Sequence, residues 1–269
     1  MKILPAITPT SVSIQKKLWT LGFFIVLGVA FWSVATLAAD IRQEELNSSL
    51  IYAAGQGDMS SFNLALNLGA NLNAVDHSGT NAVLAATEGE QHRVLRLLLD
   101  KGGDPNVSGG SGFTPLTFAA MHGSIRDLRL LLKAGAKPSQ HNVMGDSPLH
   151  LAVQFGYDDV VADLIAAGAS IDNINTAGET PLMVAIRSDN RKAFDTLLAL
   201  GAENSVADKT GRSALFSAIL ENHEAMALAL VEKGARFDSL SDGYTPLKMA
   251  QIMRHSSVIA ALTKRGAKE

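Results

Sequence analysis

Seven histidines, 26 carboxylates and no cysteine are what this chain offers for chemistry, and their spacing decides what they could do. His223-Glu224 opens the pattern of a helical zinc site, in which two histidines four residues apart share a helix face with a glutamate base. The second ligand would fall on Ala227, so that face cannot chelate a metal. Ser108-Gly109-Gly110-Ser111-Gly112 has the glycine content of a phosphate cradle, yet no Lys-Ser/Thr pair follows it and no acidic partner accompanies it. Asp158-Asp159 suits the positive end of a helix dipole rather than a catalytic dyad. His77, His92, His122, His141 and His255 are scattered. Without cysteine there is neither a disulfide framework nor thiolate chemistry. No catalytic, metal or cofactor site assembles from these residues, and a non-enzyme is expected.

The elements that carry them are repetitive. Gly69, Gly102, Gly135, Gly168, Gly201 and Gly234 recur every 33 residues, and Gly266 follows after 32. In Gly112-Phe113-Thr114-Pro115-Leu116, Thr114 can cap a helix whose first turn holds Pro115, where the missing N–H costs nothing. Leu116, Ala119 and Ala120 share one face, and Gly123 can take the left-handed conformation that ends the helix. A second helix, from about Ile125 to Lys133, buries Leu128, Leu131 and Leu132 and stops at Gly135. The Thr114 position is held in turn by Ser48, Asn81, Thr114, Ser147, Thr180, Ser213 and Thr245, all capable caps. The Gly123 slot is less uniform. Glu90 stands there after an early Gly89, which predicts a distorted helix end, while Asp189, Asn222 and Arg254 fill it later. A single helix pair cannot bury its apolar face, so the units must stack.

This period, with its Thr-Pro-Leu-His signature, resembles the ankyrin repeat. Ser147-Pro148-Leu149-His150 is the fullest match, and Gly69-Ala70-Asn71-Leu72-Asn73 matches the repeat's Gly-Ala-Asp-Val-Asn ending. The resemblance covers about Leu46 to Ala267. It implies an all-α ankyrin-repeat solenoid of about seven helix-turn-helix units with short β-hairpin fingers. The units run approximately over 46–75, 79–108, 112–141, 145–174, 178–207, 211–240 and 243–269, within a domain of residues 40–269. It also implies a structural role for His150, whose ring would tie neighbouring loops together.

Ahead of the repeats, Lys2, Lys16 and Lys17 precede an uncharged run from Leu18 to Ala39 that contains Phe23-Phe24-Ile25-Val26-Leu27. That is long enough to cross a bilayer as an N-terminal hydrophobic helix, and the lysines send the remainder outward. Residues 1–39 are therefore a signal peptide, cut after Ala38 or Ala39, or a transmembrane anchor; the two readings stay open. Either places the repeats in the periplasm or another extracytoplasmic space, released or tethered by residues 18–39. Net charge is −3 overall and −6 beyond residue 39, which argues against nucleic acid as a partner.

Function must then come from surface that the repeat core leaves free. In the family this is the concave face, formed by finger tips and the exposed side of the first helices, and it grips proteins. Mapped here, that face holds Phe113, Met121, His122, Met144, Gln154 and Phe155 at its apolar middle, and Arg187, Arg212 and Tyr244 further along. An apolar centre with a polar rim is the anatomy of a protein interface. The expectation is a monomeric scaffold for unidentified protein partners, with no cofactor. Alternatives are a protective or structural accessory of an exported enzyme, or a membrane-anchored adaptor facing the cytoplasm. In a competing reading, Phe113 and Phe155 fold back on neighbouring fingers.

Overall fold

The computed structural model describes residues 39–268 and Thr36. The uncharged run 18–39 therefore lies almost wholly outside the described residues, and among those described no helix is long and apolar enough to cross a membrane. Among the described residues there are fourteen helices, in seven antiparallel pairs. The first, α1, is helical over 39–56. The others are α2 (Met59–Asn67), α3 (Ala82–Glu88), α4 (His92–Asp100), α5 (Pro115–Met121), α6 (Ile125–Lys133), α7 (Pro148–Phe155) and α8 (Asp158–Ala166). They continue as α9 (Pro181–Arg187), α10 (Arg191–Ala199), α11 (Ala214–Leu220), α12 (Glu224–Glu232), α13 (Pro246–Met253) and α14 (Ser256–Lys264). Each odd helix from α5 packs on the odd helices beside it, and the even helices follow the same order behind them.

Local chemistry sets the helix boundaries. Asn81, Thr114, Ser147, Thr180, Ser213 and Thr245 each accept the backbone N–H three residues on, satisfying one of the free donors of the first turn. Ser48 does not cap. It lies inside α1, which begins upstream of it. Each inner helix ends in a left-handed residue, and the slot is respected even where glycine is absent. Glu90, Asp189, Asn222 and Arg254 take φ of 55°, 52°, 65° and 62°. The expected distortion after Gly89 does not occur, since Gly89 ends α3 with φ −80° and Glu90 makes the turn.

No β-strand forms among the described residues, only isolated bridges between Ala207 and Ser213 and between Ser241 and Tyr244. The expected hairpin fingers are instead tight turns, too short to carry a ladder. In four of them a side-chain oxygen closes the turn from within. Asp76, Asn142, Asn175 and Asp208 each accept the N–H groups two and four residues ahead. Successive turns are joined by single backbone bonds: Gly110, Val143, Thr176 and Lys209 donate to the carbonyls of Ser78, Ser111, Met144 and Ala177. That closeness explains Gly145, where φ is 75° and a Cβ would lie 2.7 Å from the Thr176 nitrogen.

A second row of bonds joins the repeats behind the turns. Asn73 accepts from the Asp104 N–H and donates to the Gly102 carbonyl, and Asn106 does the same with Lys137 and Gly135. Among the described residues no repeat precedes the first, and α1 supplies these partners. Asn47 accepts the Asn71 N–H at 2.7 Å and Gln43 donates to the Gly69 carbonyl at 3.0 Å.

His150 is fully buried and does what the resemblance implies. Its Nδ1 accepts from the Ser147 amide and hydroxyl, and its Nε2–H donates to the Glu179 carbonyl of the next turn at 3.1 Å. Burial pushes its pKa below the ordinary imidazole value, against a smaller opposing pull from that carbonyl. The unfolded chain thus takes up this proton more readily than the folded one. The stability His150 contributes is complete above about pH 6.5 and falls as pH drops towards the lower folded-state value. Melting curves between pH 7.5 and 5 should show a smaller loss of Tm in His150→Leu than in wild type; parallel curves would contradict this.

Leu116, Ala119, Ala120, Leu128 and Leu131 are fully or almost fully buried, and so is Leu262, the counterpart of Leu131 in the last repeat. Leu131→Ala should cost about 2–5 kcal/mol. Because each repeat touches only its neighbours, the loss at this interior position should also split unfolding into two transitions. Leu262→Ala, with a neighbour on one side only, should cost less and leave a single transition. Denaturant titration of both variants makes the comparison, and equal losses would contradict a linear array.

Candidate protein-binding face

The inner helices and the turns between repeats form one side of the array. Of the residues singled out from the sequence, Phe113, Met121, His122 and Arg212 are half-buried, and Met144, Gln154, Phe155, Arg187 and Tyr244 are exposed. Phe113 and Met121 come together with Phe118 in an open groove between the second and third repeats, bordered by Ser78, Thr80, Leu84 and Glu88. The Phe113 and Phe118 rings lie 5.0 Å apart and tilted by 34°, and Phe118 continues to the His122 ring at 5.9 Å. Phe113 does fold back, but onto its own helix. Phe155 does not; it ends α7 at 49% exposure.

The sequence reading misses Phe118. Its counterparts Leu151 and Val184 are buried and Ala85, Ser217 and Met249 half-buried, so the position does not announce itself as surface. In the third repeat it stays partly open, because the adjoining turn is Gly109-Gly110 and contributes no side chains to fill the space. The same glycines cannot cradle phosphate. The N–H groups of Gly109, Gly110 and Gly112 are already given to the carbonyls of Phe113, Ser78 and Gly109.

Charge along the face is largely paired. Arg187 donates to Glu179 at 3.0 Å, and Arg212 lies 3.8 Å from the exposed Asp242. Burial raises the pKa of Asp76, but hydrogen bonds from Ser78 and Thr80 outweigh it, and the carboxyl lies below its ordinary value. On the outer side, Arg129 pairs with Asp163 of the next repeat.

One cluster elsewhere contains the residue types of a catalytic triad. Asp127 is buried where other repeats carry Val94, Val160, Ala193, Met226 and Val258. Its Oδ2 lies 2.6 Å from His92 Nδ1 and accepts the Ser124 hydroxyl at 2.9 Å. The serine therefore bonds to the carboxylate and not to the imidazole, so no base is in place to activate it. His223 and His255 share one repeat position, just before α12 and α14, and each reaches back one repeat, to Asp189 at 3.2 Å and Asn222 at 2.8 Å. Among the described residues no group of three or more His, Asp or Glu could hold a metal ion.

Comparison with known proteins agrees with this architecture. The model of the family "Ankyrin repeats (3 copies)" matches residues 50–142 and again 128–208. Among solved structures, the chain is similar to the human ASB11 ankyrin repeat domain. The two are 28% identical, with a TM-score of 0.66, over 82% of this chain and 98% of that one. No curated protein sequence matches it. With more than half its length matched by the family model, and with helix pairs, left-handed slots and joined turns recurring in register, the chain belongs to the ankyrin repeat family.

Proposed function

We propose that this chain is a non-catalytic protein-binding scaffold that works outside the cytoplasmic membrane and grips its partner on the face of inner helices and turns. Ankyrin repeats are in general protein–protein interaction modules, and the observation that carries the reading here is the groove of Phe113, Phe118 and Met121. Aromatic and methionine side chains left partly open beside a rigid backbone are typical anchors of an interface. The array is preorganised by its repeat-to-repeat bonds, which limits the ordering entropy lost on binding. The extracytoplasmic placement is supported by Lys16 and Lys17 ahead of the uncharged run Leu18–Ala39.

Two experiments test the two halves of the proposal. Phe118→Ala and Met121→Ala should each weaken partner capture by about 1–3 kcal/mol, whereas Arg129→Ala on the outer side should leave capture unchanged. Unchanged capture by both groove variants would move the interface elsewhere. Separately, a reporter enzyme that is active only after export should be active when fused after Glu269. Activity confined to a cytoplasmic reporter would overturn the placement, and N-terminal sequencing of the purified protein distinguishes a released form from an anchored one.

A further inference from the structure

The groove between the second and third repeats has a chemical character beyond being apolar. Glu88 is the one charged residue on its wall, and it is exposed. Among the described residues its carboxylate has neither an ion pair nor a side-chain hydrogen bond, unlike Glu179 and Asp242 further along the face. It is the last residue of α3, at the negative end of the helix dipole, where a carboxylate is repelled. The corresponding positions hold Gly55, Met121, Gln154, Arg187, Leu220 and Ile252, so no other repeat places an acid there. Asp76, whose carboxyl favours the ionised form, supports the adjoining turn through Ser78 and Thr80, and no lysine or arginine lines the groove. The tilted rings of Phe113 and Phe118 line the same groove as Glu88, and aromatic rings attract cations.

We infer that this groove receives an arginine or lysine side chain from an extended segment of the partner protein. Its aliphatic stem lies on Phe113, Phe118 and Met121, and its cationic head reaches Glu88. Stem and head match the two halves of the groove, because long cationic side chains cover apolar surface while keeping the charge at a polar rim. The Gly109-Gly110 turn leaves room for the segment's backbone beside the rings. The inference rests on the proposal that this face is the binding face, and adds the chemistry of what it binds.

The test uses the full chain in detergent solution, labelled at its methionine methyl groups, with the Met121 signal assigned from Met121→Leu. Three capped pentapeptides, Gly-Ser-Xaa-Ser-Gly with Xaa as Arg, Leu or Glu, are titrated while that signal is followed. The Arg peptide should shift it saturably and bind at least tenfold more tightly than the Leu peptide, and the Glu peptide should not bind. Glu88→Gln should remove the preference for Arg, leave the weak Leu binding within twofold, and not lower Tm, since it relieves the unfavourable dipole contact. Equal or tighter binding of the Leu peptide, an Arg preference that survives Glu88→Gln, or no shift with any peptide would overturn the inference. If partner capture nevertheless still falls in Phe118→Ala, the face binds protein through apolar contact alone and only the cation assignment is lost. If capture is also insensitive to Phe118→Ala, the face itself is the wrong one.

Discussion

From α2 to α14 no helix exceeds nine residues, so a pair of them has no interior to fold around. Its apolar side becomes dry only when a neighbouring pair lies against it, and the structure depends on that requirement. It demands thin residues, and Ala119, Ala120, Ala152, Ala185 and Ala218 are fully buried where one inner helix meets the next. It demands that the reversal from inner to outer helix be sharp. The left-handed slot is therefore filled by Glu90 or Arg254 at a conformational cost rather than lost. It also demands that the turns lie close, with a backbone bond between successive turns from Ser78 to Lys209 and the Ser241 hydroxyl on the Thr210 carbonyl at the last, which limits them to glycine where the next turn passes.

Polar groups inside the stack follow the same logic. A buried donor or acceptor is tolerated when its partner belongs to the neighbouring repeat, so that the bond forms only on stacking. His150 reaches the carbonyl of Glu179, Asn190 donates to that of Val153, and His255 bonds Asn222. Asp127 is the largest departure, a carboxylate in a column that otherwise holds Ser61 and then valine, alanine and methionine, and it too is met across the junction by His92. Each of these contacts adds direction to a burial that is otherwise non-directional, and so fixes register.

What could be read in the sequence was whatever requires one residue type at one spacing. The caps from Asn81 to Thr245 and the glycine of the outer-helix ends are of this kind, because local backbone geometry alone dictates them. The closing of the turns by Asp76, Asn142, Asn175 and Asp208 was not legible as such, since the short range of those bonds looks in sequence like the start of a hairpin. Ser48 misled for the opposite reason: a good capping residue caps nothing when the helix already runs through it. On the candidate face, Phe113 and Met121 stand out as large apolar residues at positions the core does not use. Phe118 does not, because its exposure depends on what the facing turn lacks. Asp127 was visible in principle, as the one acid in a largely apolar column, but only once the repeats are laid over one another.

The bonds that Asn47 and Gln43 make to the loop of the first repeat have a bearing on how such a molecule can change in length. They occupy the acceptor and donor that a preceding repeat would use, and they come from a helix that extends beyond the repeat boundary. A unit duplicated upstream of this end would have to displace both side chains and break a continuous helix. A unit duplicated between the third and fourth repeats meets the same surfaces on both sides that it left. Lengthening this array by duplication is therefore easier between interior repeats than upstream of the first.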